Sequence, residues 1–214
     1  MEAALKAALS DLPQTGRRVL PKCTAVPFPA KGAPRVIEDR MDVTQGKLAM
    51  GFRTGGASAF REDLPDFLVF NAVYGGTTTS KLFMNVREKL SLCYFASSLI
   101  EKYKGIMLVS AGIEFDKYEQ TKSEIVAQLD ACREGKIDEG ELEGAKRSVI
   151  STLRANLDSL GRLEDFWLGQ ASAGLTEGPD ELALRVAGVT AAQAAAVAKN
   201  VTLDTVYFLR GKEG

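Results

Sequence analysis

Two hydrophobic periods alternate in pairs along this chain, and their order restricts the available folds more than any other feature. Residues 47–53 have period two. Leu48, Met50 and Phe52 fall on one side, with Lys47 and Arg53 on the other, as in a strand with one buried face. Residues 35–43 alternate more loosely through Val36, Met41 and Val43, and Thr44-Gln45-Gly46 is short enough for a hairpin-like turn between these two strands. The spacing then changes to three and four. Leu64, Phe67, Leu68 and Asn71 predict a helix over 63–74, with Pro65 in the first turn and Gly75-Gly76 as the stop. Ser80 is an N-cap candidate for a second helix over 81–90, whose stripe is Leu82, Phe83, Val86 and Leu90.

Residues 92–101 and 105–113 return to β-favouring content and predict a hairpin turning at 102–104. Two long helices follow. Tyr118, Ile125, Leu129 and Cys132 line the first, which Gly135 ends. Leu142, Ala145, Val149, Leu153, Leu157 and Leu160 line the second, with Asp138 at its positive end. Helix resumes over 163–173 after a break at Gly161. Shorter helices follow over 179–186 and 191–199, with Thr190 as a cap, and 201–209 closes as a strand. Strand pairs beside helix pairs imply an α+β fold, one antiparallel-rich mixed sheet with helices packed on one face.

Five prolines (Pro13, Pro21, Pro27, Pro29 and Pro34) fall within residues 11–34, after a short Ala/Leu helix over 1–10. Each fixes φ and lacks an amide donor, so the stretch reads as an extended connector. The expected organisation is an N-terminal helix and proline-rich linker over 1–34, then one domain over 35–214.

Composition excludes several function classes. Lys plus Arg is 27 and Asp plus Glu is 28, a formal net charge of −1, which argues against a nucleic-acid footprint. No apolar stretch approaches the roughly 20 residues of a membrane span, and the N-terminal residues do not have the pattern of a secretory leader. Cys23, Cys93 and Cys132 are odd in number and form no C-x-x-C, which fits a reducing, cytoplasmic setting and excludes the usual structural zinc site.

The chain contains no histidine. Zinc-hydrolase motifs and Ser-His-Asp or Cys-His pairs therefore cannot be built from it. Serine–lysine chemistry stays formally open at Ser80-Lys81 and at Ser148 near Lys146, against the plainer reading of cap and surface residues. The carboxylate pairs Glu38-Asp39, Glu62-Asp63, Asp138-Glu139 and Glu164-Asp165 sit at predicted element ends, where a solvated face is the simplest account. The Gly75-Gly76-Thr-Thr-Thr-Ser80-Lys81 run follows a helix rather than a strand and lacks phosphate-loop spacing. Its bland reading is a helix-to-helix turn. Its sharper reading is a set of free N–H groups that receives a peptide carbonyl or carboxylate.

The segment Ser-Lys-Leu-Phe-Met-Asn-Val-Arg-Glu-Lys-Leu-Ser-Leu-Cys-Tyr, from Ser80 to Tyr94, resembles the C-terminal half of the insulinase, pitrilysin and mitochondrial processing peptidase family of zinc metallopeptidases. The family pattern is a Gly-Gly turn followed by S-x-L-F-x-x-V-R-E-x-x-x-L-x-Y. Gly75, Gly76, Ser80, Leu82, Phe83, Val86, Arg87, Glu88, Leu92 and Tyr94 supply its elements. The similarity extends over residues 35–214. It implies a LuxS/MPP-like metallohydrolase half-domain, the inactive partner in a two-half clamshell whose other half carries H-x-x-E-H and zinc.

What the resemblance implies for this chain is then specific. It binds no cofactor, and zinc is expected only in a partner half. Arg87 and Tyr94 are candidate peptide-substrate-binding residues, an Arg for the substrate backbone and a Tyr for the scissile carbonyl or its oxyanion. Gly75 and Gly76 join them as the adjoining turn. The implied partners are a zinc-bearing or degenerate N-terminal half, of the same protein or a paralogous subunit, and a peptide substrate. A homodimer is an alternative assembly. The turn here is shorter than the multi-glycine loop of the processing-peptidase α subunit, so presequence recognition is not carried over. The alternative is a pseudo-peptidase scaffold or interaction subunit with no proteolytic role.

Overall fold

A computed structural model describes residues 1–10, 12, 30, 32–56 and 62–212. The connector expected over 11–34 lies largely outside them. Helix α1 (Glu2–Leu9) precedes it with no buried side chain.

Five strands form one sheet: β1 (Arg35–Met41), β2 (Gly46–Arg53), β3 (Cys93–Glu101), β4 (Ile106–Ile113) and β5 (Thr202–Gly211), in the order β1-β5-β2-β4-β3. Only β1 and β5 run parallel. The β5–β2, β2–β4 and β4–β3 pairs are antiparallel. Leu48, Met50 and Phe52 on β2 are buried with Met107, Val109 and Ala111 on β4 and with Val206 and Phe208 on β5. The opposite face leaves Leu99 and Leu108 exposed. The helices therefore form a single layer on the first face.

The turn at Thr44–Gly46 is not a hairpin, because β5 lies between β1 and β2. Register explains the correction. Val206 pairs with both Val36 and Met50, and β5 sends Val206 and Phe208 into the core. All seven residues of β1 are exposed, which suits a sheet edge. A β1–β2 hairpin would have put this exposed strand in the centre.

The helical layer begins with α2 (Leu64–Asn71), which passes without a break into a π-turn, Ala72–Gly76. Phe67, Phe70 and Tyr74 stack in series, with ring centroids 6.4 Å and 5.7 Å apart. The Tyr74 hydroxyl, fully buried, donates to the Ile125 carbonyl at 2.9 Å, which satisfies it. A second π-helix, Leu82–Lys89, follows the Gly75-Gly76 turn. Leu82 and Val86 are buried as expected, whereas Leu90 is 40% exposed. Spacing by three and four cannot tell α from π winding, and the wider π turn rotates Leu90 off the buried stripe.

Helices α3 (Tyr118–Arg133) and α4 (Glu139–Ala155) follow. Asp138 caps α4 by accepting from the Glu141 amide at 2.8 Å, and Glu141 accepts from the Asp138 amide at 3.1 Å. The break expected at Gly161 comes earlier. α4 ends at Ala155, and α5 (Leu160–Ala173) starts from Ser159, whose hydroxyl accepts from the Arg162 amide. Leu157 and Leu160 are consequently exposed, not core. Helices α6 (Pro179–Ala187) and α7 (Ala191–Asn200) complete the layer, and Thr190 and Gln193 form a reciprocal cap on α7. No single described helix is long and apolar enough to cross a membrane.

Candidate functional site

The second π-helix is held at both ends. At its start, Lys81 gives two hydrogen bonds to the Glu141 carboxylate, at 2.7 and 2.8 Å, and the lysine side chain is only 9% exposed. The same Glu141 belongs to the cap of α4, so one carboxylate ties both helix starts together. Further along, Asn85 donates to Gln128 at 2.8 Å, and Gln128 donates to Glu124 at 2.6 Å, which fastens the π-helix to α3. At the entry, the Ser80 hydroxyl donates to Thr77 O at 2.7 Å and accepts from Phe83 N at 3.4 Å.

The exit is strained. Leu90 N bonds Asn85 O, and Leu92 N bonds Val86 O at 3.0 Å, a closing pattern that places Ser91 in the left-handed region with φ 49°. Helices usually put glycine there. A non-glycine residue in that conformation costs on the order of 1 kcal/mol, and such strain concentrates at functional sites.

β3 then begins with a bulge. Cys93 pairs with Ile113 and Phe95 with Gly112, leaving Tyr94 as the extra residue. A bulge re-aims the side chain it carries. Tyr94 is 57% exposed, and its hydroxyl lies 3.4 Å from the Glu114 carboxylate, to which it donates.

Arg87, Glu88, Ser91, Leu92, Cys93, Tyr94 and Glu114 together line one open cavity of about 390 Å³. Arg87 lies over the Phe83 ring, 4.6 Å from its centroid, and 3.5 Å from Glu88. With 40% of its side chain exposed, its guanidinium keeps donors available to a ligand. Burial pushes the Cys93 thiol up to about 11, although Arg87 pulls the other way. The thiol is therefore protonated at neutral pH and is no nucleophile.

The two predicted side chains thus share one cavity, but the two glycines do not join them. Gly75 is buried. A Cβ there would meet the Leu82 side chain and Ser98 Oγ at 2.7 Å, and Ser98 N at 2.8 Å. Gly76 borders a different cavity, near Thr77 and Asn71. Sequence reasoning missed Ser91, Cys93 and Glu114. The first two lie inside the motif, and Glu114 enters only because β4 pairs with β3. For zinc the fit is poor. The chain has no histidine, and among the described residues no three acidic or thiol side chains are grouped to hold a metal.

Comparisons with known proteins place the chain in a family. A family model described as the peptidase M16 inactive domain matches residues 1–149. A Bacillus subtilis (strain 168) protein named "Probable inactive metalloprotease YmfF" is 36% identical over 184 residues, 86% of this chain and 43% of that protein. A conserved protein from Enterococcus faecalis V583, known by crystal structure, superposes with a TM-score of 0.90 at 31% identity, over 100% of this chain and 50% of that one. A peptidase M16 inactive domain from Pseudomonas fluorescens, 18% identical with a TM-score of 0.70, covers 86% of this chain and 45% of its own and shows the shared fold. The chain therefore spans half or less of the length of these relatives. With a model covering most of it and a relative at this identity, the chain belongs to the peptidase M16 inactive-domain family.

Proposed function

We propose that this domain is the non-catalytic half of an insulinase-type zinc peptidase, binding peptide substrate opposite a zinc-bearing half. The observation that carries the proposal is the shared cavity of Arg87 and Tyr94, in which bulge and strained turn bring a guanidinium and a phenol to one opening. Arg87 donates to peptide carbonyls, and Tyr94 gives up its long hydrogen bond to Glu114 to donate to the oxygen of the bond under attack. Gly75 is covered by Leu82 and Ser98, so the glycine pair contributes the turn that sets the π-helix. Residues 1–34 act as the arm leading to the partner half, and the cytoplasm is the expected setting. The zinc and its chemistry belong to that other half.

The test is reconstitution. This chain is combined with a zinc-bearing half that cleaves peptide in its presence, and Arg87→Ala and Tyr94→Phe are compared with wild type. A fall of about 10²-fold or more in kcat for either variant supports the roles. Turnover unchanged by both ends the proposal.

A second reading has its own support, since the Bacillus relative carries "inactive" in its name. On that reading the domain is an interaction subunit of a pseudo-peptidase. A stable complex in which the Arg87 and Tyr94 surface is buried against a partner, with no peptide cleaved, decides for it.

A further inference from the structure

A second cavity, of about 250 Å³, lies between helix α2, the first π-turn, the far end of β3, and helices α4, α5 and α6. Its walls include Leu68, Ala72, Ile100, Leu153, Phe166 and Leu182, and the one charged side chain lining it among the described residues is Lys102. The Lys102 ammonium sits 5.2 Å from the Tyr103 ring centroid and 5.9 Å from that of Phe166. No carboxylate among the described residues forms an ion pair with it. Burial lowers its pKa, and the nearby Glu101 only partly compensates. Three of the other polar side chains lining it already have partners. Asn71 accepts from Ser98, Thr77 donates to Ala72 O, and Thr152 donates to Ser148 O. A half-buried cation at the edge of an apolar hole, with aromatic faces but no anion, lacks its natural complement.

We propose that this cavity binds a small apolar monocarboxylate, with its hydrocarbon part among Leu153, Phe166 and Leu182 and its carboxylate on Lys102. Size sets the scale. An apolar protein cavity of roughly 150 Å³ accommodates benzene, so a ligand with about six carbons fits here. The shared chemistry has two sources, a free fatty acid or the carboxyl-terminal residue of a peptide. The site is separate from the Arg87 and Tyr94 cavity and does not depend on the function proposed for it.

The intact chain is titrated with hexanoate and 1-hexanol, and with acetyl-leucine and acetyl-leucinamide, by calorimetry and amide chemical shifts. The expected result is that at least one acid binds about tenfold or more tightly than its neutral counterpart, with shifts centred on Ile100 to Lys102 and Leu153. Preference for hexanoate identifies the fatty acid, and preference for acetyl-leucine the peptide terminus. Lys102→Met is expected to erase the difference between acid and neutral ligand. Ser148→Trp, at the exposed rim, is expected to abolish binding without lowering Tm. Equal binding of acid and neutral ligand, no binding by either acid at about 5 mM, or binding indifferent to Ser148→Trp with the fold intact overturns the proposal. Should either variant unfold, the wild-type ligand pairs still decide.

Discussion

Helices α4 and α7 and the two π-helical segments, Ala72–Gly76 and Leu82–Lys89, solve the same problem differently. The α-helices start on reciprocal caps, Asp138 with Glu141 and Thr190 with Gln193, so local groups satisfy their free amides. The π-helical segments rely mainly on tertiary partners: Lys81 on Glu141, Asn85 on Gln128, and Gly75 packed under Leu82 and Ser98. Regular helices make the frame, and a winding held chiefly by the surrounding fold, with a local bond from Ser80 at its entry, carries the candidate site.

The comparison can be broken at its most crowded point. Gly75→Ala puts a methyl group against Ser98 N and Leu82, and backbone cannot yield as a flexible side chain does. The expected loss is about 2–3 kcal/mol in denaturant unfolding. A loss below about 0.5 kcal/mol would show that the turn is not held as described. Next comes Lys81→Met, which leaves Glu141 without its buried cation while the Asp138 amide still binds it. About 2 kcal/mol is expected, below the range for a fully buried pair. Thr190→Ala removes only a local cap, and about 1 kcal/mol should be lost. Ser91→Gly changes the sign. It relieves the left-handed strain and is expected to stabilise by about 0.5–1 kcal/mol, with no gain if the closing turn relaxes in solution. Smallest is Arg87→Ala. The side chain is partly exposed and has one long ion pair and one ring contact, so thermal unfolding should move by less than about 0.5 kcal/mol. A large shift would make Arg87 a structural residue and remove the argument for its availability to ligand.

Much of this frame is legible from residue order. Strands β2 to β5 start and stop within about two residues of the periodicity boundaries, because Leu48, Met50 and Phe52 or Val206 and Phe208 alternate cleanly. What local pattern cannot encode is partner choice. Nothing in Val36 or Met41 says that β5 intervenes before β2, since that depends on pairing across the whole domain. The π winding is hidden for a related reason: Leu82 and Val86 fit an α stripe equally well. Arg87 and Tyr94 could be named from the motif, yet the strain at Ser91 follows from the closing bonds of the π-helix and the bulge at Tyr94 from β3 pairing with β4, and both bear on how the two side chains reach one opening. The apolar pocket beside Lys102 left no sequence signal, because its walls come from six separate elements.

The place of β5 also has a kinetic side. Tyr207 reaches Asp39 across 168 positions of sequence, and Arg53 reaches Asp204 across 151. During synthesis β1 and β2 emerge early but have no strand to bridge them until residues 202–211 arrive. Such distant closure slows folding, and until then two open edges face whatever chain is nearby. A product cut after residue 149 would keep the whole stretch matched by the family model and the cavity of Arg87 and Tyr94, yet lack the strand that joins β1 to the sheet. Such a product is expected to expose the open edge of β2 and to aggregate more readily than the intact chain.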